Sequence, residues 1–152
     1  MTLPINIPKA RPEDAPAVAD IHLTARREAM PYLNLAHTDD ETRDYFARTV
    51  GTGPTQCWVA RHDGQVAGYM PIAGEDLDHL YVRSGWQRRG IGLALLTYAR
   101  TLSPQRLTRW TFQRNAPARA FYEAQVFRAV ESTDGCNEEN EPDVRYLWEA
   151  AG

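Results

Sequence analysis

The sequence has little of what marks several large classes of protein. Only two of its 152 residues are cysteines, Cys57 and Cys136, and they lack the C-x-x-C spacing of zinc and redox sites. No apolar run approaches the roughly 20 residues of a membrane-spanning helix, and residues 1–14 lack the apolar core of a secretory signal. These absences predict free thiols, no membrane association and a cytoplasmic location.

The chain also lacks a large excess of charge of either sign. The formal net charge is −3, which argues against general nucleic-acid binding, since that usually requires a basic face. His22, His37 and His62 have no metal-like spacing with cysteine or carboxylate partners, so no metal site is predicted. Length and an apolar content of 43% favour one globular domain over residues 1–152.

Hydrophobic periodicity predicts alternating strands and helices in an α/β (α+β) domain with a mixed sheet. A strand is predicted over 5–10, a β-hairpin near His62, and further strands over 77–82 and 107–112, with two more near the end of the chain. Helices are predicted after Arg11, Thr38, Gly90 and Asn115. Thr38 and Glu41 form a T-x-x-E capping box at the start of the second helix.

The segment QRRGIG, from Gln87 to Gly92, lies between a predicted strand and a predicted helix. The first turn of a helix has backbone N–H groups without partners, and glycine lets an anion approach them. Arg88 and Arg89 would add charge-assisted contacts. The segment matches neither the Walker loop nor the dinucleotide fingerprint, and a tight turn with solvated arginines is the alternative interpretation.

A second motif, NAPARAFYE, follows the predicted strand over 107–112. Asn115 stands where a helix N-cap is expected, and Ala118, Phe121 and Tyr122 fall on one helical face. A capped helix that packs an aromatic pair against the core would explain this motif alone. The two motifs in this order are much harder to explain as coincidence.

Together, the two motifs resemble those of the GNAT acetyltransferase superfamily. Gln87, Gly90 and Gly92 match its Q/R-x-x-G-x-G/A pattern, and the second motif matches N-x-x-A-x-x-F-Y. The strand LDHLYV resembles the family's fourth strand. Val126 departs from the family, which usually has glycine there, and this leaves the local helix end open.

The resemblance implies a mostly antiparallel mixed sheet of about seven strands, splayed between the fourth and fifth, with about four flanking helices. It also implies acetyl-CoA as co-substrate and leaves homodimerisation open. The CoA pyrophosphate would lie on the turn at Gln87, Arg88, Arg89, Gly90, Ile91, Gly92 and Leu93. The pantetheine would lie along Leu80, Tyr81 and Val82, and the remaining cofactor contacts would come from Asn115, Ala118 and Phe121.

Within this resemblance, Tyr122 matches the general acid that faces the departing thiolate. Asp78 is favoured as the base that accepts a proton from the amine, with His79 and Glu75 as alternatives. Met30, Tyr32, Leu33 and His79 are expected to border the acceptor. Structural roles, namely core packing or a solvated strand-end acid, would explain the same residues.

The resemblance implies an N-acetyltransferase that moves acetyl directly from acetyl-CoA to a primary amine of a small molecule or peptide. A non-catalytic acyl-CoA sensor or partner-binding domain with the same fold is the alternative function. The acidic loop over 134–143 is either a solvated connection or a negative rim that attracts a cationic acceptor.

Overall fold

A seven-stranded sheet forms the centre of the protein in the computed structural model, which describes residues 5–33, 36–52 and 55–151. The strands are β1 Gln56–His62, β2 Gln65–Ala73, β3 Asp76–Leu77, β4 Tyr81–Val82, β5 Arg106–Phe112, β6 Arg128–Ser132 and β7 Asp143–Glu149. The helices are α1 Ala15–Ala29, α2 Asp39–Thr49, α3 Ile91–Leu102 and α4 Ala116–Ala124, and a 3₁₀ turn, Pro12–Asp14, precedes α1. The strand order is β1-β2-β3-β5-β7-β6, with β4 also beside β2.

The sheet is mixed and mostly antiparallel, which confirms the predicted fold class. Only the β3–β5 pair, among the pairs between described strands, is parallel. One apolar cluster packs α3 and α4 against the sheet, and a second packs α1 and α2. The helices therefore cover both faces of the sheet.

The predicted strand over 77–82 is divided in two. Leu77 pairs with Ile72 of β2, whereas Tyr81 pairs with Tyr69. Between these two pairs the chain advances by four residues from Leu77 to Tyr81 but by only three along β2. One extra residue therefore lies between β3 and β4, which is a β-bulge. Because of it, Leu77 and Leu80 pack on the same apolar cluster, although strict alternation would place them on opposite faces.

The predicted strand over 5–10 is wrong as a continuous strand. The structure has only two isolated bridges there, Asn6 with Arg61 and Lys9 with Trp58. Pro8 lies between them and has no N–H to donate, although its carbonyl accepts the N–H of Val59 at 3.1 Å. The sheet still has the predicted number of about seven strands, because the predicted strand over 77–82 forms two strands, β3 and β4.

The helix starts are formed by the signals read in the sequence. Thr38 and Glu41 make both reciprocal bonds of the capping box, at 3.0 and 3.1 Å. The side chain of Asn115 accepts the N–H of Ala118 at 3.3 Å and begins α4. Both cysteines are free, and no helix within the described ranges is long and apolar enough to cross a membrane.

Gly68 in β2 allows α3 to pack closely on the sheet. A Cβ built at this position would lie 2.9 Å from the carbonyl oxygen of Tyr81 and 3.2 Å from side-chain atoms of Ile91 and Leu95. The absence of a side chain therefore fixes how near the first turns of α3 come to β2 and β4.

Val126 ends α4 in a conformation that normally favours glycine. Its φ is 70°, and the N–H of Phe127 bonds the carbonyl of Tyr122 at 3.0 Å, as in a Schellman turn. The helix therefore ends where the family's glycine would end it, although the residue is β-branched. A left-handed conformation costs a β-branched residue about 1–2 kcal/mol.

We expect Val126→Gly to raise the free energy of unfolding by about 1 kcal/mol, because it relieves this conformation. The side chain is 76% exposed, so little packing is lost. Urea unfolding would measure the change. Val130→Gly, at an exposed position in β6, is the control and should lower stability. A less stable Val126→Gly protein would contradict the strain.

Candidate active site

The central feature of the site is an opening in the sheet between β4 and β5. β3 pairs with β5 over two residue pairs, whereas β4 pairs only with β2 among the described strands. Arg83 donates its N–H to the carbonyl of Ala67 at 2.7 Å, and this register turns the N–H and C=O of Val82 away from β2. β4 thus offers backbone polar groups with which an extended ligand could pair.

The first turn of α3 lies beside this opening. Gly90 is its N-cap, with φ 82°, and no side chain caps the helix. Arg88 also has a left-handed φ of 65°, and residues 87–90 are all exposed. Neither Arg88 nor Arg89 forms a salt bridge with a described residue. The turn therefore combines uncapped N–H groups with two available cations, which suits an anion.

Gly92 keeps a narrow space open between β4 and α4. A Cβ built on Gly92 would lie 3.6 Å from Leu80 and 3.7 Å from both Val82 and Phe121. These are ordinary van der Waals contacts, so one methyl group fits but a large side chain would fill the space. The predicted positions in β4, α3 and α4 thus meet around one gap.

Tyr122 follows Phe121 in α4 and is almost fully buried, at 2% exposure. Its hydroxyl accepts a hydrogen bond from Nε of Arg109 in β5 at 3.2 Å. Nη1 of Arg109 donates to the backbone carbonyl of Asp78 at 2.5 Å. One guanidinium therefore contacts both residues to which the sequence assigned catalytic roles.

A cavity of about 190 Å³ adjoins this group. Its lining includes five predicted residues, Met30, Asp78, His79, Tyr81 and Asn115. Carboxylates of Glu139 and Asp143 also face it, as do the guanidinium groups of Arg26 and Arg109. The cavity is therefore small and of mixed charge, and its lining residue Arg109 connects it to Tyr122.

Two candidate bases on this cavity differ in their electrostatics. Burial raises the pKa of Asp78, while Arg109 lowers it and Asp76 raises it further. The pKa of His79 lies well below its ordinary value, chiefly because of burial, with His22 and Arg109 acting in the same direction. Asp78 is thus a stronger base than an ordinary aspartate, and His79 a weaker base than an ordinary histidine.

The other predicted residues lie farther from this centre. Leu33 is buried and does not line the cavity. The ring of Tyr32 lies 3.9 Å from the guanidinium of Arg114. Glu75 is exposed in the β2–β3 turn, outside the cavity, and faces Arg106 at 3.5 Å.

The acidic loop over 134–143 is tied to the rest of the protein. Glu139 pairs with Arg26 of α1 at 3.2 Å. Glu141 is 6% exposed and accepts two bonds from Arg114, at 2.7 and 2.8 Å. Two of the five acids of the loop are therefore paired with arginines, and these pairs hold the loop as a fixed wall beside the cavity.

Sequence analysis missed Arg26 and Arg109. Arg109 occupies a strand position between Thr108 and Trp110, which is a weak signal. Only the pairing of β5 with β3 brings it to the opening. Within the described ranges, no group of three or more histidine, cysteine or acidic residues could hold a metal ion.

The chain belongs to the GNAT acetyltransferase family. The family model "Acetyltransferase (GNAT) domain" matches residues 53–129, which include both sequence motifs. The predicted family is confirmed, and the protein is an N-acetyltransferase of a family whose general reaction is acyl transfer from acetyl-CoA.

Two curated relatives agree with this assignment. The chain is 29% identical over 126 residues to "Peptidyl-lysine N-acetyltransferase YiaC" of Escherichia coli, covering 82% of this chain and 84% of the relative. It is 31% identical over 139 residues to "Probable N-acetyltransferase Rv2775" of Mycobacterium tuberculosis, covering 81% of this chain and 79% of the relative.

A solved structure shows the same fold. The solution structure of apo YjaB from Escherichia coli superposes with a TM-score of 0.82 at 20% identity, covering 98% of this chain and all of that one.

His22 lies beside His79 of the site and makes the stability of the protein depend on pH. It is buried, its Nδ1 lies 2.6 Å from the Tyr69 hydroxyl, and its ring centroid lies 5.1 Å from that of His79. Burial, and secondarily Arg26, lowers the pKa of His22 to about 3. The imidazole is therefore neutral in the folded protein at any pH well above 3.

We expect stability to fall as the pH decreases from 6.5, because the unfolded chain takes up a proton at His22 that the folded protein excludes. The sign follows from a folded-state pKa below the unfolded one, and one such group contributes about 1.4 kcal/mol per pH unit. Urea unfolding at pH 7 and pH 5 would measure this slope. It should be shallower in His22→Asn, and an equal slope would contradict the assignment.

Proposed function

We propose that the protein transfers acetyl directly from acetyl-CoA to a primary amine of a small molecule or peptide. The observation that carries the proposal is the meeting of three features at one opening: the free edge of β4, the uncapped turn at Gly90 and the buried hydroxyl of Tyr122. The turn suits an anion, the strand edge suits an extended chain, and the hydroxyl suits a leaving group.

The donor is held by backbone groups more than by side chains. The turn over 87–93 would receive the pyrophosphate on its N–H groups, with Arg88 and Arg89 beside it. Each such contact contributes roughly 0.3–2 kcal/mol, so several act together. The pantetheine would follow β4 past Leu80 and Val82, through the gap that Gly92 keeps open. Acetyl-CoA supplies the acetyl group as a thioester.

Tyr122 would stabilise the sulfur that departs. Negative charge develops on sulfur as the carbon–sulfur bond breaks, and a hydrogen-bond donor already in place stabilises that charge. A hydrogen bond from the hydroxyl that strengthens as charge develops on sulfur is therefore the role we assign to Tyr122.

Asp78 would accept the proton from the amine, directly or through water. Deprotonating a lysine-like amine at pH 7 costs about 4–5 kcal/mol. The pKa of Asp78 is raised and is therefore closer to the pKa of the amine, and Asp78 lines the cavity. His79 lines the same cavity but is a weaker base because of its burial.

The cavity supports a cationic acceptor. Asp78, Glu139 and Asp143 line it together with Arg26 and Arg109, so carboxylates outnumber guanidinium groups by three to two. The Escherichia coli relative is named a peptidyl-lysine N-acetyltransferase. A lysine side chain in a peptide is therefore the first acceptor to test, before polyamines and other small amines.

A sensor with the same fold would bind CoA without turnover. The near-complete burial of Tyr122 beside Arg109 favours the enzyme, since ligand binding alone does not need this pair. Release of free thiol in the presence of varied amines separates the two. CoA binding without thiol release from any amine would support the sensor.

We expect Gly92→Trp to abolish acetyl-CoA binding, because an indole would fill the space between Leu80, Val82 and Phe121. In calorimetric titration, the unchanged protein should bind acetyl-CoA and CoA at micromolar concentration, with ATP as the negative control. Gly92→Ala is the matched control and should keep its affinity, since one methyl group fits. Unchanged affinity in Gly92→Trp would place the ligand elsewhere.

We expect Asp78→Asn to lower kcat by about 10²–10⁴-fold, the usual contribution of a positioned acid or base. In the unchanged protein, kcat should fall as the pH decreases through the raised pKa of Asp78, because the charged form is active. Asp78→Asn should lose this acidic limb.

Glu75→Gln is the control, since this exposed carboxylate lies outside the cavity. A full loss of rate in His79→Gln with normal rate in Asp78→Asn would assign the base to the histidine instead.

A further inference from the structure

Arg109 is a partly buried cation that forms no salt bridge with a described residue. It lies in β5, opposite Leu77 of β3 and Tyr146 of β7. It donates hydrogen bonds to neutral oxygens, the Tyr122 hydroxyl at 3.2 Å and the Asp78 carbonyl at 2.5 Å, and it also contacts the phenol of Tyr81. No carboxylate of the described residues lies within salt-bridge distance of it.

This arrangement has an energetic cost. Withdrawing a guanidinium even partly from water, with no salt bridge to balance it, is unfavourable. Burial opposes the charge of Arg109, and the nearby phenols of Tyr122 and Tyr81 nevertheless raise its pKa. The protein therefore keeps a permanent positive charge beside Tyr122, where negative charge would develop on a leaving thiolate.

The chemistry of the two side chains fixes the direction of their hydrogen bond. A guanidinium has only donors, so the Tyr122 oxygen must accept from Nε. This occupies one lone pair of the hydroxyl and directs its own hydrogen elsewhere. Among the described residues, that hydrogen has no acceptor. The Tyr122 hydroxyl can therefore donate it to a group that enters the opening.

The second bond of Arg109 reaches across the opening. Nη1 donates to the carbonyl of Asp78, which lies in the bulge between β3 and β4. One planar group thus sets the position of Tyr122 relative to the backbone of Asp78. The rigid fork of a guanidinium fixes both distances together, which the flexible single ammonium of lysine cannot do.

We propose that Arg109 is a positioning residue for the acetyl transfer, one that orients the Tyr122 hydroxyl toward the departing sulfur. The proposal rests on the function assigned to Tyr122 above. In the step concerned, the amine nitrogen bonds to the acetyl carbon and its proton passes to Asp78. The carbon–sulfur bond breaks with its electron pair on sulfur, and sulfur accepts the hydrogen bond from Tyr122.

A double-mutant cycle tests this inference. Arg109→Met, Tyr122→Phe and the double variant would be compared by kcat and by KM for acetyl-CoA. Each single variant should lower kcat by about 10- to 1,000-fold, because each removes the oriented donor. The double variant should be no slower than the slower single variant, since the two residues act as one unit. KM for acetyl-CoA should change less than about threefold.

Two further variants control for folding and charge. Arg106→Met removes an exposed arginine from the same strand and should leave kcat unchanged. Arg109→Lys keeps the charge without the fork. Arg109→Lys should lower kcat in the wild-type protein but not in the Tyr122→Phe variant. It also provides the test if Arg109→Met does not fold.

The outcomes separate this inference from the assignment of Tyr122. A normal kcat in Tyr122→Phe would remove Tyr122 from the mechanism and this inference with it. A slow Tyr122→Phe together with a normal Arg109→Met would overturn the role of Arg109 alone. Effects that multiply in the double variant would show that Arg109 acts independently of Tyr122, which also overturns the positioning role.

Discussion

The extra residue between Leu77 and Tyr81 is the constraint on which the site depends. Without it, β3 and β4 would form one regular strand that could pair with β5 along its whole length. The bulge instead lets β3 stay with β5 while β4 continues beside β2 alone. The interruption of the sheet exposes backbone groups in the protein interior, where a ligand can satisfy them.

Charge is distributed around this opening in two different ways. Two of the five acids of the loop over 134–143, Glu139 and Glu141, are paired with arginines of the same protein. Arg88, Arg89 and Arg109 have no such partners among the described residues. Unmatched positive charge is therefore found at the two ends of the region assigned to the donor, at its phosphates and at its sulfur.

The sequence predicted the elements whose causes are local. The helix starts at Thr38 and Asn115 were predictable because a cap and its target lie within one turn. The glycine-rich turn and the second motif were found for the same reason. The mixed sheet also followed from the order of the elements, whereas its mostly antiparallel pairing followed from the family resemblance.

What the sequence could not show depends on contacts between distant segments. The bulge arises from register with β2, and alternation alone predicts a regular strand over 77–82. Arg109 lies next to Tyr122 only because β5 joins β3, a pairing that no local signal specifies. The strand over 5–10 was a different error, since Pro8 was visible and its missing donor should have weakened the prediction.

The close packing at Gly68 has a consequence for specificity. This residue lies in β2, behind β4, where the nearest atoms to a built Cβ belong to Tyr81, Ile91 and Leu95, so it cannot touch a ligand in the opening. It nevertheless sets the spacing between α3 and β4, which are two of the walls that receive the donor. The distance between α3 and β4 is thus set by a residue that lies outside the opening. Relatives could adjust their preference for different acyl donors at such a position without changing any residue that contacts them.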